Sequence, residues 1–181
     1  MSARLSWMGA ALAAAMASGW AAEVQDPSAP GCDPGALQEA TLRLLNQQRR
    51  AGADCGSSGR FAPAPPLHWD ARLQRAAASH AAEVAQSGRL EHRSSDGRDG
   101  GDRLRAAGYA HSLWAENLAA GHADVAEVVQ AWLASPQHCA NLLNPKLQQA
   151  GLACQAGQTV RVGPGLVWVL DLARPPQDHR R

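Results

Sequence analysis

The chain has 181 residues, 45% hydrophobic and 18% charged, with 17 Lys and Arg against 16 Asp and Glu. That length and balance fit one domain with a real core and exclude wholesale disorder. A near-neutral charge without a basic cluster gives no footing for a nucleic-acid partner.

Arg4 precedes an apolar run from Leu5 to Gly19, interrupted only by Ser6 and Ser18, and the small-residue site Gly19-Trp20-Ala21 follows. The pattern predicts a secretory signal peptide over residues 1–21, too short for a membrane span. The expected protein is therefore secreted or periplasmic, a monomer with no membrane span after cleavage. Residues 22–32 form a polar, Pro-containing lead-in expected to be disordered. Cys32, Cys55, Cys139 and Cys154 remain in the exported part, and an even number in an oxidising compartment predicts two disulfides. Three pairings are open. Neighbours in sequence close modest loops, so Cys32–Cys55 and Cys139–Cys154 are expected.

Helical periodicity begins near Gly35, with Leu37, Thr41, Leu44, Leu45 and Gln48 on one side, and stops at Gly52. Gly56 to Pro66 is a loop. Asp70 opens a second helix, on which Leu73, Ala76, Ala77, His80 and Val84 share a face until Gly88 ends it. Its many Ala make it thin enough to approach a sheet closely. Arg93 to Asp102 is a solvated loop directly after His92, and Asp102 to Gly108 is a short helix with Gly108 as its cap.

Two Trp-marked segments form the hub. In Trp114-Ala115-Glu116-Asn117-Leu118 a carboxylate stands in an apolar wall. Asp124 then caps a helix whose Val125, Val128, Val129 and Trp132 make one stripe. Pro136 ends that helix and sets His138 just beyond the break, and Asn141 to Lys146 is a brief turn. After it the period changes: Ala150–Gln155, Thr159–Val162 and Leu166–Leu172 are three β-rich runs. In the last, Leu166, Trp168, Leu170 and Leu172 face one side and Val167 and Val169 the other, so this strand is central and covered twice. Helices first, strands last and cover on both faces define an α+β fold. Its form is a three-layer α-β-α sandwich with a small central antiparallel sheet, and residues 176–181 are a flexible tail.

Several of these segments match one family in order. They are Asn46-Gln47-Gln48-Arg49 with Gly52, Leu67-His68-Trp69-Asp70 with Leu73, Ala77 and His80-Ala81, then His92 and Gly108-Tyr109. Ala115-Glu116-Asn117, Trp132 with Ser135-Pro136-Gln137-His138, Asn141-Leu142-Leu143 and Gly151 complete the series. From residue 33 to residue 175 the chain resembles the CAP superfamily (SCP domain) in its exported bacterial subtype. The resemblance implies an α-β-α sandwich with a cleft of two His and two acidic residues. His92 is similar to the first cleft His, Glu116 to the first acid and His138 to the second His. Where many eukaryotic members carry the second acid, this chain has Ser135. The family has been credited with zinc binding, with sterol or fatty-acid binding and, in a few members, with proteolysis, so membership alone does not fix a function.

Two imidazoles and a carboxylate, here His92, Glu116 and His138, are a donor set for Zn²⁺ with an open position. The bland alternative is a hydrogen-bonded cluster tying the loop after His92 to the helix end. His80, on an apolar helix face, reads as a structural His bonded to backbone. His68 reads as a packing or loop residue, and His111 and His122 as exposed loop residues. Ser112 and Ser135 lack a nucleophile elbow. The first functional reading is a cleft holding a lipid or cell-envelope ligand, with or without Zn. The second is a metal-assisted hydrolase with Glu116 as candidate catalytic base. The third is a disulfide-stapled interaction domain with a purely structural cleft.

Overall fold

The structure, a computed structural model, describes residues 32–159 and 163–177. The expected signal peptide, the lead-in up to residue 31 and the end of the tail lie outside the described residues.

Helix α1 (Pro34–Ala51) starts where the Asp33 carboxylate accepts from the Ala36 N–H, with Pro34 in the first turn. Leu37, Thr41 and Leu45 are buried on the expected face, and Arg49 joins them. The Arg49 guanidinium is wholly buried, donating to the carbonyls of Pro65, Leu142, Asn144 and Leu147. It thereby stitches two distant segments, around Pro65 and over residues 142–147, to one helix end.

A short hairpin, β1 (Ala53–Asp54) and β2 (Arg60–Phe61), follows, with β2 inside the expected loop Gly56 to Pro66 and β1 just before it, and β3 (His68–Trp69) leads into α2 (Ala71–Ser87). Asp70 caps α2, and Gly88 ends it in the left-handed conformation, φ 71°. Leu73, Ala76, Ala77, His80 and Val84 are buried together as the periodicity predicts. The close approach of this Ala-rich helix has a visible cost in choice of residue: a Cβ at Gly151 would strike the backbone of Leu73 and Gln74.

Helix α3 (Gly100–Ala106) begins two residues earlier than expected. Asp99 is the cap and Asp102 its reciprocal partner at the third position, a capping box, while Gly108 lies just beyond the end with φ 82°. Leu113–Ala120, which carries no strand signal in the sequence, is strand β4. Helix α4 (Val125–Ala134) has the expected cap and stripe, with Val125, Val128, Val129 and Trp132 all buried. Pro136 does stop it, but the same residue starts α5 (Pro136–Leu143), so the first half of the turn expected at Asn141 to Lys146 is helix and only Pro145 and Lys146 turn. Proline fits at a helix start because the first N–H groups have no helical partner anyway.

The last strands are β5 (Gln149–Thr159) and β6 (Gly163–Arg174), a long antiparallel pair. Of the middle run expected at Thr159–Val162, Thr159 closes β5 and the rest lies outside the described residues. The sheet order is β3-β5-β6-β4, antiparallel except where the two residues of β3 pair parallel to β5. Central β6 is covered on both faces as predicted. Trp168, Leu170 and Leu172 pack with α1 and α4, and Val167 and Val169 with Ala77, Ala81 and Val84 of α2. The molecule is an α+β, α-β-α sandwich, with α2 and α3 on one face and α1, α4 and α5 on the other.

The disulfide pairing departs from the expectation. Cys32 is bonded to Cys154 and Cys55 to Cys139. Packing decides this, not loop length. Helix α1 lies across β5 and reaches α5, so the residue before it meets a β5 cysteine and the residue after it meets an α5 cysteine.

Candidate functional site

The site forms around β4, which has a sheet neighbour, β6, on one side only. Strand alternation sends Glu116 and Leu118 toward the α2 and α3 layer, and Asn117 and Ala119 toward the other. Asn117 holds α5 in place: its amide donates to the His138 carbonyl, and its oxygen accepts from Asn141. From the opposite layer the loop after α2 brings in His92, whose Nδ1 lies 2.9 Å from Glu116 Oε1. Residues from both layers thus meet at one exposed sheet edge.

Glu116 is held from beneath as well. Its second oxygen accepts from the Arg103 guanidinium, and both side chains are buried, 1% and 2% exposed. Arg103 also donates to the His92 carbonyl and to Ser94 Oγ, so one guanidinium fixes the carboxylate and the backbone of its imidazole partner. A carboxylate in an ion pair only accepts hydrogen bonds, so His92 carries its proton on Nδ1. Its lone pair is then on Nε2, on a side chain 61% exposed. His138 is half-buried; its pKa is lowered, first by burial and then by the positive charge His92 carries when both its nitrogens are protonated, which favours a neutral imidazole at 138.

Two of these groups are not marked by the sequence pattern. Arg103 falls in a short helix that reads as a surface one, and its spacing carries no sign of burial. Asp171 stands in the strand expected to be covered twice; a lone acid there has to be buried, which is the available signal. It is the register partner of Glu116 across β4 and β6, fully buried, and neither of its oxygens has a hydrogen-bond partner. Burial, then the charge of Glu116, pushes its pKa well up, only partly offset by Arg103. A raised carboxyl pKa means the folded state holds the proton more tightly than the unfolded chain. Stability from this group is full below about pH 4 and is lost as pH rises through the folded value. Asp171→Asn should abolish that loss, so urea unfolding should show the variant gaining on the parent as pH rises from about 4. Parallel pH profiles for the two proteins would contradict a protonated Asp171.

The expected metal set can be tested against this geometry. Glu116 has both oxygens engaged, one by a guanidinium, and so is a poor third ligand. Among the described residues no three or more His, Cys, Asp or Glu side chains are arranged to hold a metal ion. Of the expected set that leaves the two imidazoles, which are near enough for the charge of one to act on the other. Ser135 stands before α5 and makes no side-chain capping bond. His80 is buried with Nε2 at 2.8 Å from the Glu91 carbonyl, the backbone-bonded role expected of it. His111 lies against Arg105, and His68 is exposed on β3. An apolar hollow of about 280 Å³ does exist between α1 and α4, lined by Leu37, Ala40, Leu44 and Val125. It sits at the start of α4, however, about 15 Å of helix from the end that leads to His138.

A three-layer sandwich with an imidazole–carboxylate pair at its edge strand defines the class, an SCP-type domain. The profile of the cysteine-rich secretory protein family, CAP, matches residues 42–172, and the chain belongs to that family. The uncharacterized protein YkwD of Bacillus subtilis (strain 168) is 29% identical over 87 residues, which is 48% of this chain and 34% of that protein. The chain thus spans about a third of that relative's length. Among solved structures it is similar to an extracellular protein containing a SCP domain from Bacillus anthracis str. Ames. That match has a TM-score of 0.56 and 23% identity, over 78% of this chain and 42% of the other. An outer surface protein from Borrelia burgdorferi gives a TM-score of 0.57 and 20% identity, over 77% and 96%. These structural likenesses concern the fold. Two disulfides fit an exported protein. No helix among the described residues is long and apolar enough to cross a membrane.

Proposed function

We propose that this bacterial-type CAP domain is a binding module. Its cleft offers His92 Nε2 and His138 to a polar group of a small ligand from the cell envelope or its surroundings. The Glu116–His92 bond carries the reading: a buried, Arg-anchored carboxylate orients an exposed imidazole with its lone pair outward. Glu116 acts on His92 and does not itself meet the ligand. A lipid tail would find its apolar surface elsewhere, in the hollow between α1 and α4. Zn²⁺ is one candidate occupant, held by two imidazoles with Glu116 behind one of them, in the manner of carboxylates that support metal-bound His. The hydrolase reading needs Glu116 free to take a proton, and its ion pair with Arg103 argues for binding over catalysis.

Zinc titration by calorimetry tests the arrangement. His92→Ala and His138→Ala should each abolish uptake, and Glu116→Gln should weaken it about 10–100-fold. His80→Ala should leave it unchanged. Uptake surviving both cleft His substitutions would overturn the assignment, and no uptake by the parent would remove zinc as the occupant.

A further inference from the structure

We infer a second binding site, for a phosphate group, in the cavity between α2 and α3. The cavity measures about 290 Å³ and is walled by Arg75 and Ser79 of α2, Arg103 of α3 and Arg98 of the preceding loop. Every charged side chain lining it is a guanidinium. Ala76, Ala106 and Ala107 complete the lining, and their short side chains leave room for a ligand.

The donors are of the right kind and are not all occupied. Arg75 is exposed and makes one bond, at 3.2 Å to the Ala107 carbonyl, with no acid beside it. Arg98 meets Asp96 through Nε, which leaves its terminal nitrogens for another acceptor. Arg103 is the inner wall. Its terminal nitrogens hold Glu116, Ser94 and two carbonyls, but its buried Nε–H has no acceptor at all. A buried donor without a partner on a charged group is costly, and an anion or its water in this cavity would relieve it. Planar guanidinium forks match the oxygens of phosphate better than any other common side chain. The nearby acids face other partners: Asp96 holds Arg98, Asp102 holds Arg105, and Asp99 caps α3. Arg103 joins this cavity to the cleft, since the same side chain clamps Glu116.

Both free phosphate and the phosphodiester of an anionic lipid share this chemistry. The test follows thermal unfolding of the full chain in sodium phosphate against sodium chloride at equal ionic strength. In parallel, the protein is sedimented with phosphatidylglycerol or phosphatidylcholine vesicles. Arg75→Gln with Arg98→Gln, both surface changes outside the cleft, should unfold like the parent in chloride. The parent should show a saturable rise in Tm with phosphate, or selective sedimentation with phosphatidylglycerol, and the double variant should lose whichever effect appears. A phosphate effect alone identifies a free anion as the ligand, and a vesicle effect alone identifies a headgroup. Equal responses to phosphate and chloride with no vesicle selectivity would overturn the site. So would a double variant that keeps the parent's full response. Neither readout depends on His92 or His138, so the cleft proposal stands or falls separately.

Discussion

Replacing Cys55 and Cys139 by Ala should lower stability by about 4–5 kcal/mol, the chain-entropy value for a loop of roughly 84 residues. Both cysteines are buried with Leu143, against Ala53, Phe61 and Leu133, so the thiols would still pack if reduced. Most of the loss therefore comes from freeing the unfolded chain. The Cys32–Cys154 bridge, separated by 122 positions, should contribute a similar amount. At about 2–4 °C per kcal/mol for a domain of this size, each deletion should lower Tm by about 8–20 °C. Domains of this kind have only about 5–15 kcal/mol in hand, so losing both bridges should unfold the chain near room temperature. Calorimetry of each double-Ala variant, and of the parent with a reductant, checks this. A fall in Tm of only a few degrees would show that the folded layers, without the cross-links, carry the stability.

Arg103→Met should cost about 3–5 kcal/mol, the range for removing one partner of a buried ion pair. Glu116 would keep its charge in a buried position, with Asp171 beside it on the next strand. The loop carrying His92 would also lose its ties through the His92 carbonyl and Ser94. If the pair is the cause, Arg103→Met should be much less damaging in a Glu116→Gln background, because no stranded charge remains. Urea unfolding of the parent, both single variants and the double variant gives the coupling directly. Simple additivity would mean that Arg103 acts through packing and not through Glu116.

Local signals make the helices legible. Asp70 and Gly88 bracket α2, and Asp124 with Ser135-Pro136 brackets α4, because caps and breakers act within one turn. Strand β6 is legible because both faces are apolar. Strand β4 is not: its sequence, Leu-Trp-Ala-Glu-Asn-Leu-Ala-Ala, is rich in helix formers, and tertiary pairing with β6 overrides them. Helix α5 is hidden when Pro136 is read as a stop alone, since the same fixed φ suits a start. The disulfide pairing depends on how α1 lies across β5 and α5, which no spacing encodes. Of the site, His92, Glu116 and His138 come from motif likeness, and the bond between the first two is found in the structure. Arg103 and Asp171 come from the fold, since each matters only through what lies across a strand or a layer from it.

The central claim is that Glu116 orients His92 with its lone pair facing the cleft. Heteronuclear NMR of the imidazole nitrogens, above about pH 7.5 where an unperturbed His is neutral, reads that state directly. The expected result is His92 protonated on Nδ1 and bare on Nε2, with Glu116→Ala removing the preference. A His92 protonated on Nε2 in the parent protein would contradict the account, because Nδ1 could not then donate to Glu116.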